Sequence, residues 1–303
     1  MDILIFGYGN RVQTDILSAL EKSIEHSKIY IITKSSRPKI ENNSNIFFYN
    51  FNEFYKLADI SFDITIISVP LKNQVEVLKV LKSECHKQVY IDTPIHSKVL
   101  KYTKKFKINV LEDIIKTPIV REVKKLITNA GKIDLYFFKS AHEYHGIAMV
   151  EALLGINVTK KKRVLLNLER IKLNVILDNL HHVTIISPSN SQIGYVKMNT
   201  SNDNYYFGNE DAFKDDHNNS FKDYIKLETV YKLYKLDGSV SKNWISDLGN
   251  FKQIGLIEIF KNRSIKNFAQ TPHDSIRQQR IAKSNKFTVK LKKLIYTNLR
   301  GVK

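Results

Sequence analysis

Over the first 130 residues, short apolar runs alternate with stretches whose apolar positions recur every three or four residues. The runs are ILIF (3–6), KIYIIT (28–33), NIFFYNF (45–51), DITIISV (63–69), QVYID (88–92) and INVLED (108–113). DITIISV is continuous and β-branched, as a strand covered on both faces requires. Between the runs lie helical patterns at 53–59, 75–84, 97–106 and 117–130, and at 11–26, where Val12, Ile16, Leu17, Leu20 and Ile24 fall on one face. Strand, helix, strand in repetition predicts an α/β domain with a doubly wound parallel sheet.

After Gly131 the pattern changes. KIDLYFFKSA (132–141) reads as a strand and IAMVEALLG (147–155) as a helix stopped by Gly155. The stretch from 163 to about 240 is rich in Val, Ile, Tyr, Asn and Ser. VLLNLERIKLNVILDNL, HHVTIISPS, QIGYVKMNTS, NYYFGN and DYIKLETVYKLYKLDGSV read there as strands separated by turn residues, with a polar loop at Asp215–Ser220. Helical patterning returns at 251–262 and 273–284. A chain of 303 residues is long for one core. The expected division is a Rossmann domain over 1–118 and, over 119–303, a C-terminal α/β domain. The latter is built on a large, mainly antiparallel open sheet.

The net charge of +18 raises nucleic acid or an anionic membrane as partners. Yet the basic residues are spread along the chain, densest at Lys160–Arg163 and from Lys283 to Lys303, and no nucleic-acid motif accompanies them. They read as solvated lysines, which argues against both partners and leaves anionic substrates or cofactors as the residual implication. No run of eighteen apolar residues occurs, and the start lacks the pattern of a signal peptide. The single cysteine, Cys85, fits a reducing compartment. The expectation is a cytoplasmic protein.

The first strand runs into Gly7-Tyr8-Gly9-Asn10-Arg11-Val12. Gly7 permits a tight turn out of the strand, and Gly9 lets the backbone approach a pyrophosphate at a helix N-terminus. Val12 stands where a third glycine would give helix and strand room to pack, so it alters packing without removing a phosphate contact. At the end of the second strand, an NAD site would place Asp or Glu against the ribose hydroxyls. Here stand Thr33, Lys34, Ser35, Ser36 and Arg37, with no carboxylate before Glu41. Hydroxyls beside a guanidinium suit a 2′-phosphate, which favours NADP, with NAD as the alternative and a solvated basic loop as the plain structural reading.

The stretch 63–94 resembles the Gfo/Idh/MocA oxidoreductases, in which a strand ending in a small residue and proline leads through a helix to a Glu-Lys-Pro motif. Val69-Pro70 match the strand end, Lys87 and Val89 the approach, and Asp92-Thr93-Pro94 occupy the motif itself. EYHGIAMVEALLG (143–155) is similar to the family's helix in which a histidine precedes a glycine by ten residues, and His145 takes that place. The late segment 251–284, with Ser264 and the SIRQQRIAKS helix, extends the resemblance over nearly the whole chain. It implies a Rossmann domain followed by an α/β domain whose sheet mediates a homodimer or higher homo-oligomer, with cofactor contacts from Gly7 to Val12, Ser35 to Arg37, Val69-Pro70 and Asp92 to Pro94.

The same resemblance locates the departures. In sugar-oxidising members the motif lysine and an Asp–His pair move the hydroxyl proton while hydride goes to the nicotinamide. Thr93 replaces that lysine and Ala141 that aspartate, so only His145 remains. Tyr144 is a second proton donor; a packing histidine is the plain reading of His145. A metal site at His142 and His145 lacks carboxylate or cysteine partners in register, and no metal is expected. His181-His182 cannot serve one site, because adjacent strand residues face opposite ways. Trp244 reads as packing, and His273 and Arg277 as a solvated helix face. Glu112-Asp113, at a strand's C-terminal end, suit either the cofactor's vicinity or a helix cap.

The expected function is an NADP-dependent oxidoreductase, working as a reductase on a sugar, nucleotide sugar or related carbonyl or imine compound, because hydride delivery to an electrophile needs less general-base help than alcohol oxidation. Biliverdin and imine reductases, which also lack the lysine, are the nearest variants. The alternative is a catalytically inactive dinucleotide-binding sensor or scaffold of the same fold.

Overall fold

A computed structural model describes residues 1–34, 45–116, 124, 133–138, 143–154, 162–167, 170–176, 181–187, 195–199, 204–208, 230–235, 240–245, 251–261 and 270–283. Contacts group the chain into two units. The first is Met1–Asp113 with Lys252–Arg277, and the second is Ile114–Phe251 with Gln278–Lys303.

The first unit is built on six strands: β1 (Asp2–Phe6), β2 (Lys28–Thr33), β3 (Ile46–Asn50), β4 (Ile64–Ile67), β5 (Val89–Asp92) and β6 (Ile108–Leu111). They pair in the order β3-β2-β1-β4-β5-β6, all parallel. A parallel sheet hides both faces, and the strand composition follows from that. Leu4, Phe6, Ile32, Ile67, Val89 and Ile91 enter one core with Val77, Leu78 and Val99 from the covering segments. The alternate residues Ile3, Ile5, Ile31 and Ile66, in register across β2, β1 and β4, are as fully buried on the other face. Each such side chain contributes about 1.5–3 kcal/mol by leaving water.

A helix spans 10–23 (α1), wound as a wide i→i+5 turn over Val12–Ile16 and as an ordinary α-helix over Leu17–Ser23. Gln74–Val80 forms α2 and Phe251–Lys261 a further helix, α4. The last packs Phe260 edge-on to Tyr90 of β5. The patterns at 53–59 and 97–106 predict α-helices, but the structure has 3₁₀ turns at Phe51–Leu57 and Ser97–Tyr102. Segments this short cannot nucleate an α-helix alone, so packing onto the sheet decides their winding. The first of them opens on a capping box, with Asn50 donating its amide to Glu53 Oε2 at 3.0 Å. The pattern at 117–130 falls outside the described residues apart from Lys124, which is helical.

His86 is buried in this unit, with Nδ1 2.8 Å from the Thr65 hydroxyl and its ring stacked on Phe62 at 5.6 Å. Burial pushes its pKa down to about 4. Between the ordinary histidine value near 6.5 and 4, the unfolded chain therefore takes up a proton that the fold refuses. Stability is expected to be complete above pH 6.5 and to fall by up to about 3 kcal/mol as pH drops to 4. Urea unfolding of wild type and His86→Gln across this range checks it: the variant should lose most of the slope.

In the second unit, β7 (Ile133–Phe138) is followed by α3 (Glu143–Leu154), β8 (Lys162–Asn167), β9 (Arg170–Ile176) and β10 (His181–Ser187). Then come β11 (Tyr195–Asn199), β12 (Asn204–Gly208), β13 (Val230–Lys235) and β14 (Val240–Ile245). The eight strands pair as β14-β13-β12-β11-β7-β10-β9-β8. β7 and β10 are parallel, as a strand–helix–hairpin crossover permits, and the other pairs are antiparallel. The long strand-like stretch after Lys162 resolves into the β8–β9 hairpin, closing at Asn167 opposite Arg170.

A further helix covers 272–283 (α5). Its start is capped by Thr271 and Asp274, whose carboxylate accepts from the Thr271 hydroxyl at 2.7 Å while the Asp274 amide donates back at 3.2 Å. Among the described residues, no helix is long and apolar enough to cross a membrane.

Candidate functional site

In the first unit β1 lies between β2 and β4, and the winding of the sheet reverses at the β1–β4 pair. In open α/β sheets, that reversal leaves a crevice beyond the carboxyl ends of the strands. The segments that leave β1, β4 and β5 there are Gly7–Arg11, Ser68–Pro70 and Asp92–Pro94.

Gly7 donates its amide to Ile32 O at 2.9 Å, while Ser68 donates to Phe6 O at 2.9 Å. The backbones of β1, β2 and β4 thus converge on Gly7, which sits at φ +105° with the Ser68 carbonyl where a Cβ would project. Only glycine fits there. Gly9 then accepts from the amides of Val12 (3.0 Å) and Gln13 (3.1 Å), starting α1. The amides before that first bond have no partner within the helix and face its N-terminus, which suits an anion. Gly9 and Asn10 are exposed, and a Cβ on Gly9 would meet nothing within 4 Å. The missing side chain leaves open space beside those amides, and a pyrophosphate fits such a cradle. Val12, at the third-glycine position, is fully buried and belongs to the core.

Tyr8 is half-buried, its ring edge-on to Phe48 of β3 at 5.0 Å, and burial raises its pKa. The Tyr8 carbonyl accepts from Gln13 Nε2 at 2.8 Å.

Across the crevice, Asp92 closes β5. Its Oδ2 accepts from Ser68 Oγ at 3.0 Å and its Oδ1 from the Thr93 amide at 3.1 Å. Burial pushes this carboxyl above its ordinary value, and Asp113 adds to the push; Arg11 and the Ser68 bond act in the opposite sense. Gln74, at the start of α2, holds the backbone of the 92–96 turn. Its amide group donates to Pro94 O at 2.8 Å and accepts from the His96 amide at 2.9 Å. The Thr93–Pro94 peptide is cis, Val69 and Thr93 are half-buried, and Pro70 and Pro94 are exposed.

Arg11 turns away from the exposed edge. Its Nη1 donates to Asp15 at 2.8 Å and its Nη2 to Asp113 at 2.6 Å, while Nε lies 3.7 Å from Asp92. Burial opposes the guanidinium charge, but Asp113, Asp92 and Asp15 hold its pKa above the ordinary arginine value. Asp113 and Glu112 are both buried, and the Asp113 carboxylate is spent on Arg11.

Gly7–Val12, Val69-Pro70 and Asp92–Pro94 thus collect at one end of one sheet, whereas Ser35, Ser36 and Arg37 lie outside the described residues. So do His142 and Ala141. In the second unit, Tyr144 and His145 sit at the start of α3 with ring centroids 4.2 Å apart, Tyr144 buried and His145 half-buried. Arg277 bonds Asp274 at 3.1 Å, and His273 is exposed. Sequence reasoning missed Asp15, Ser68 and Gln74. Asp15 lies four residues after Arg11, a legible helical ion-pair signal; the other two carry no local mark.

No family model matches the chain, and no curated protein matches it either. Solved structures do. A dehydrogenase (MviM) from Clostridium difficile is 18% identical, with a TM-score of 0.67 over 95% of this chain and 99% of that one. An aldose-aldose oxidoreductase from Caulobacter crescentus is 9% identical, with a TM-score of 0.67 over 96% and 97%. A protein from Desulfitobacterium hafniense, provisionally described as an NADPH-dependent oxidoreductase, is 12% identical, with a TM-score of 0.68 over 96% of both chains. The chain is therefore similar in fold to these dehydrogenases and oxidoreductases.

Proposed function

We propose that this chain is an NADP-dependent oxidoreductase of the Gfo/Idh/MocA type, acting as a reductase on a sugar, nucleotide sugar or related carbonyl or imine compound. The observation that carries the reading is the glycine turn at the sheet's reversal point, with Gly7 placed where a Cβ would meet the Ser68 carbonyl and with open space at Gly9. The fold-mates named as oxidoreductases support it, one of them an enzyme of aldoses and one described as using NADPH.

Gly7, Gly9 and the first amides of α1 would hold the pyrophosphate. Ser35, Ser36 and Arg37 would take the 2′-phosphate, while Val69-Pro70 and Asp92–Pro94 would flank the remainder. The bound nicotinamide supplies the hydride. Thr93 has no ionisable group with which to move a substrate proton, so the proton comes from His145, at a ring nitrogen, or from the Tyr144 phenol. A homodimer formed through the sheet of the second unit is part of the same reading.

Thr93 also favours a second reading, a sensor that binds the dinucleotide without turning it over. One pair of measurements separates them. Fluorescence titration should show NADPH binding at least about tenfold more tightly than NADH, as a bidentate phosphate contact predicts. Binding of neither overturns both readings. Given binding, NADPH oxidation against a panel of sugar-derived carbonyl compounds should occur in wild type and fall about 100-fold or more in His145→Ala, with NADPH affinity kept. Binding without any turnover selects the sensor.

A further inference from the structure

We propose that Arg11 is a positioning residue for the cofactor turn, locking Gly7–Asn10 to the ends of β5 and β6 through Asp15, Asp92 and Asp113. The proposal rests on the dinucleotide-binding reading given above.

A basic residue in a glycine-rich phosphate turn invites the assumption that it reaches for phosphate. The geometry points elsewhere. Both terminal nitrogens of the Arg11 guanidinium are committed, to Asp15 at 2.8 Å and to Asp113 at 2.6 Å, and Nε lies toward Asp92 at 3.7 Å. The side chain is only 21% exposed. Its partners come from three separate parts of the unit: α1 itself, the end of β5 and the end of β6. Asp113, 102 residues away in sequence, is anchored in its turn, because its backbone lies against Gly255 of α4. Asp92 is anchored by Ser68 at the end of β4 and by its own Thr93 amide. The guanidinium therefore joins the turn after β1 to the ends of β5 and β6.

Thermodynamic stability does not explain such a cluster. One cation among three carboxylates is an unbalanced group in a poorly solvated place, and apolar side chains of equal volume commonly stabilise a core as well or better. What a multidentate guanidinium provides is direction, because its planar fork accepts partners only along set axes. The local winding agrees. α1 is opened into an i→i+5 turn over Val12–Ile16, a rare form that occurs mostly as single turns inside α-helices and frequently at functional sites, and Asp15 lies buried within it. The wide turn and the inward Arg11–Asp15 pair belong to one arrangement, which sets how far the α1 amides stand from the Asp92–Pro94 turn. That spacing is the width of the crevice.

The test compares Arg11→Met, Arg11→Lys, Asp113→Asn and the Arg11→Met/Asp113→Asn double variant in the full chain. NADPH fluorescence titration at two salt concentrations is the readout, with amide hydrogen exchange of residues 7–12 in the cofactor-free protein. Positioning predicts that Arg11→Met and Asp113→Asn each weaken NADPH binding about tenfold or more, and that the double variant is no worse than either alone. The loss should be independent of salt, the amides of 7–12 should exchange faster, and Arg11→Lys, lacking the fork, should restore only part of the affinity. If Arg11 instead touches phosphate, Asp113→Asn frees it, so binding stays equal or tightens and the Arg11→Met loss shrinks with salt. That pattern overturns the proposal, as does an Arg11→Met protein that binds within twofold of wild type. A wild-type chain that binds neither NADPH nor NADH overturns the cofactor reading and this proposal together.

Discussion

Gly7→Ala is expected to lower the stability of the first unit by about 3–5 kcal/mol and to abolish NADPH binding. Two costs combine. At φ +105° an L side chain is strained by about 1–3 kcal/mol, and a Cβ in contact with the Ser68 carbonyl adds an overpacking cost of about 1–3 kcal/mol. The carbonyl cannot retreat, because Ser68 is itself hydrogen-bonded to Phe6 and Gly7 to Ile32. Thermal unfolding followed by circular dichroism should show a midpoint about 10 °C lower. Gly9→Ala is the matched control. Its Cβ meets nothing within 4 Å, so the midpoint should move little, while the methyl group fills the space left for a pyrophosphate and weakens NADPH binding sharply. Equal stability losses in the two variants would show that the turn is merely tight and not shaped for a ligand.

Gly255→Ala should destabilise by about 2 kcal/mol, against the usual trend. Inside a helix, alanine is ordinarily better than glycine by about 1 kcal/mol. Here the new methyl group would project onto the carbonyl group of Asp113, so either α4 lifts or the end of β6 moves. Lifting α4 breaks the bonds that tie it to α1, where Gln253 donates to Thr14 O at 2.7 Å and accepts from Ser18 at 3.3 Å. Moving Asp113 loosens the 2.6 Å bond to Arg11. Urea unfolding measures the first consequence. The NADPH dissociation constant measures the second, and it should rise in Gly255→Ala as it does in Asp113→Asn. A variant more stable than wild type would mean that the close approach of α4 to Asp113 is not maintained.

Much of the first unit was legible in the sequence. Each strand from β2 to β6 lies within an apolar run, β1 exceeds its run by Asp2 alone, and the order of elements implies a parallel sheet. Burial on both faces requires continuous apolar residues, and that requirement is written locally. The winding of Phe51–Leu57 and Ser97–Tyr102 was not legible, since so few residues carry no preference strong enough to resist their packing. Nor was the split of the stretch after Lys162 into two paired strands, because strand composition is the same in β8 and β9.

The site divides along the same line. The sequence by itself determined where a phosphate turn could stand, since Gly7 and Gly9 mark positions that side chains must leave free, and it determined that Thr93 lacks the chemistry of a lysine. The glycine pattern also placed Val12 at a packing position, where the structure buries it. Only the tertiary structure decided what Arg11 does. Read along the chain, it is a cation beside a phosphate turn. In the fold it faces Asp92 and Asp113, which the parallel sheet brings to the same end of neighbouring strands. Periodicity encodes which face of an element is buried. It carries no information about which distant residues meet there, and charge pairing across a hundred residues is settled by strand order alone.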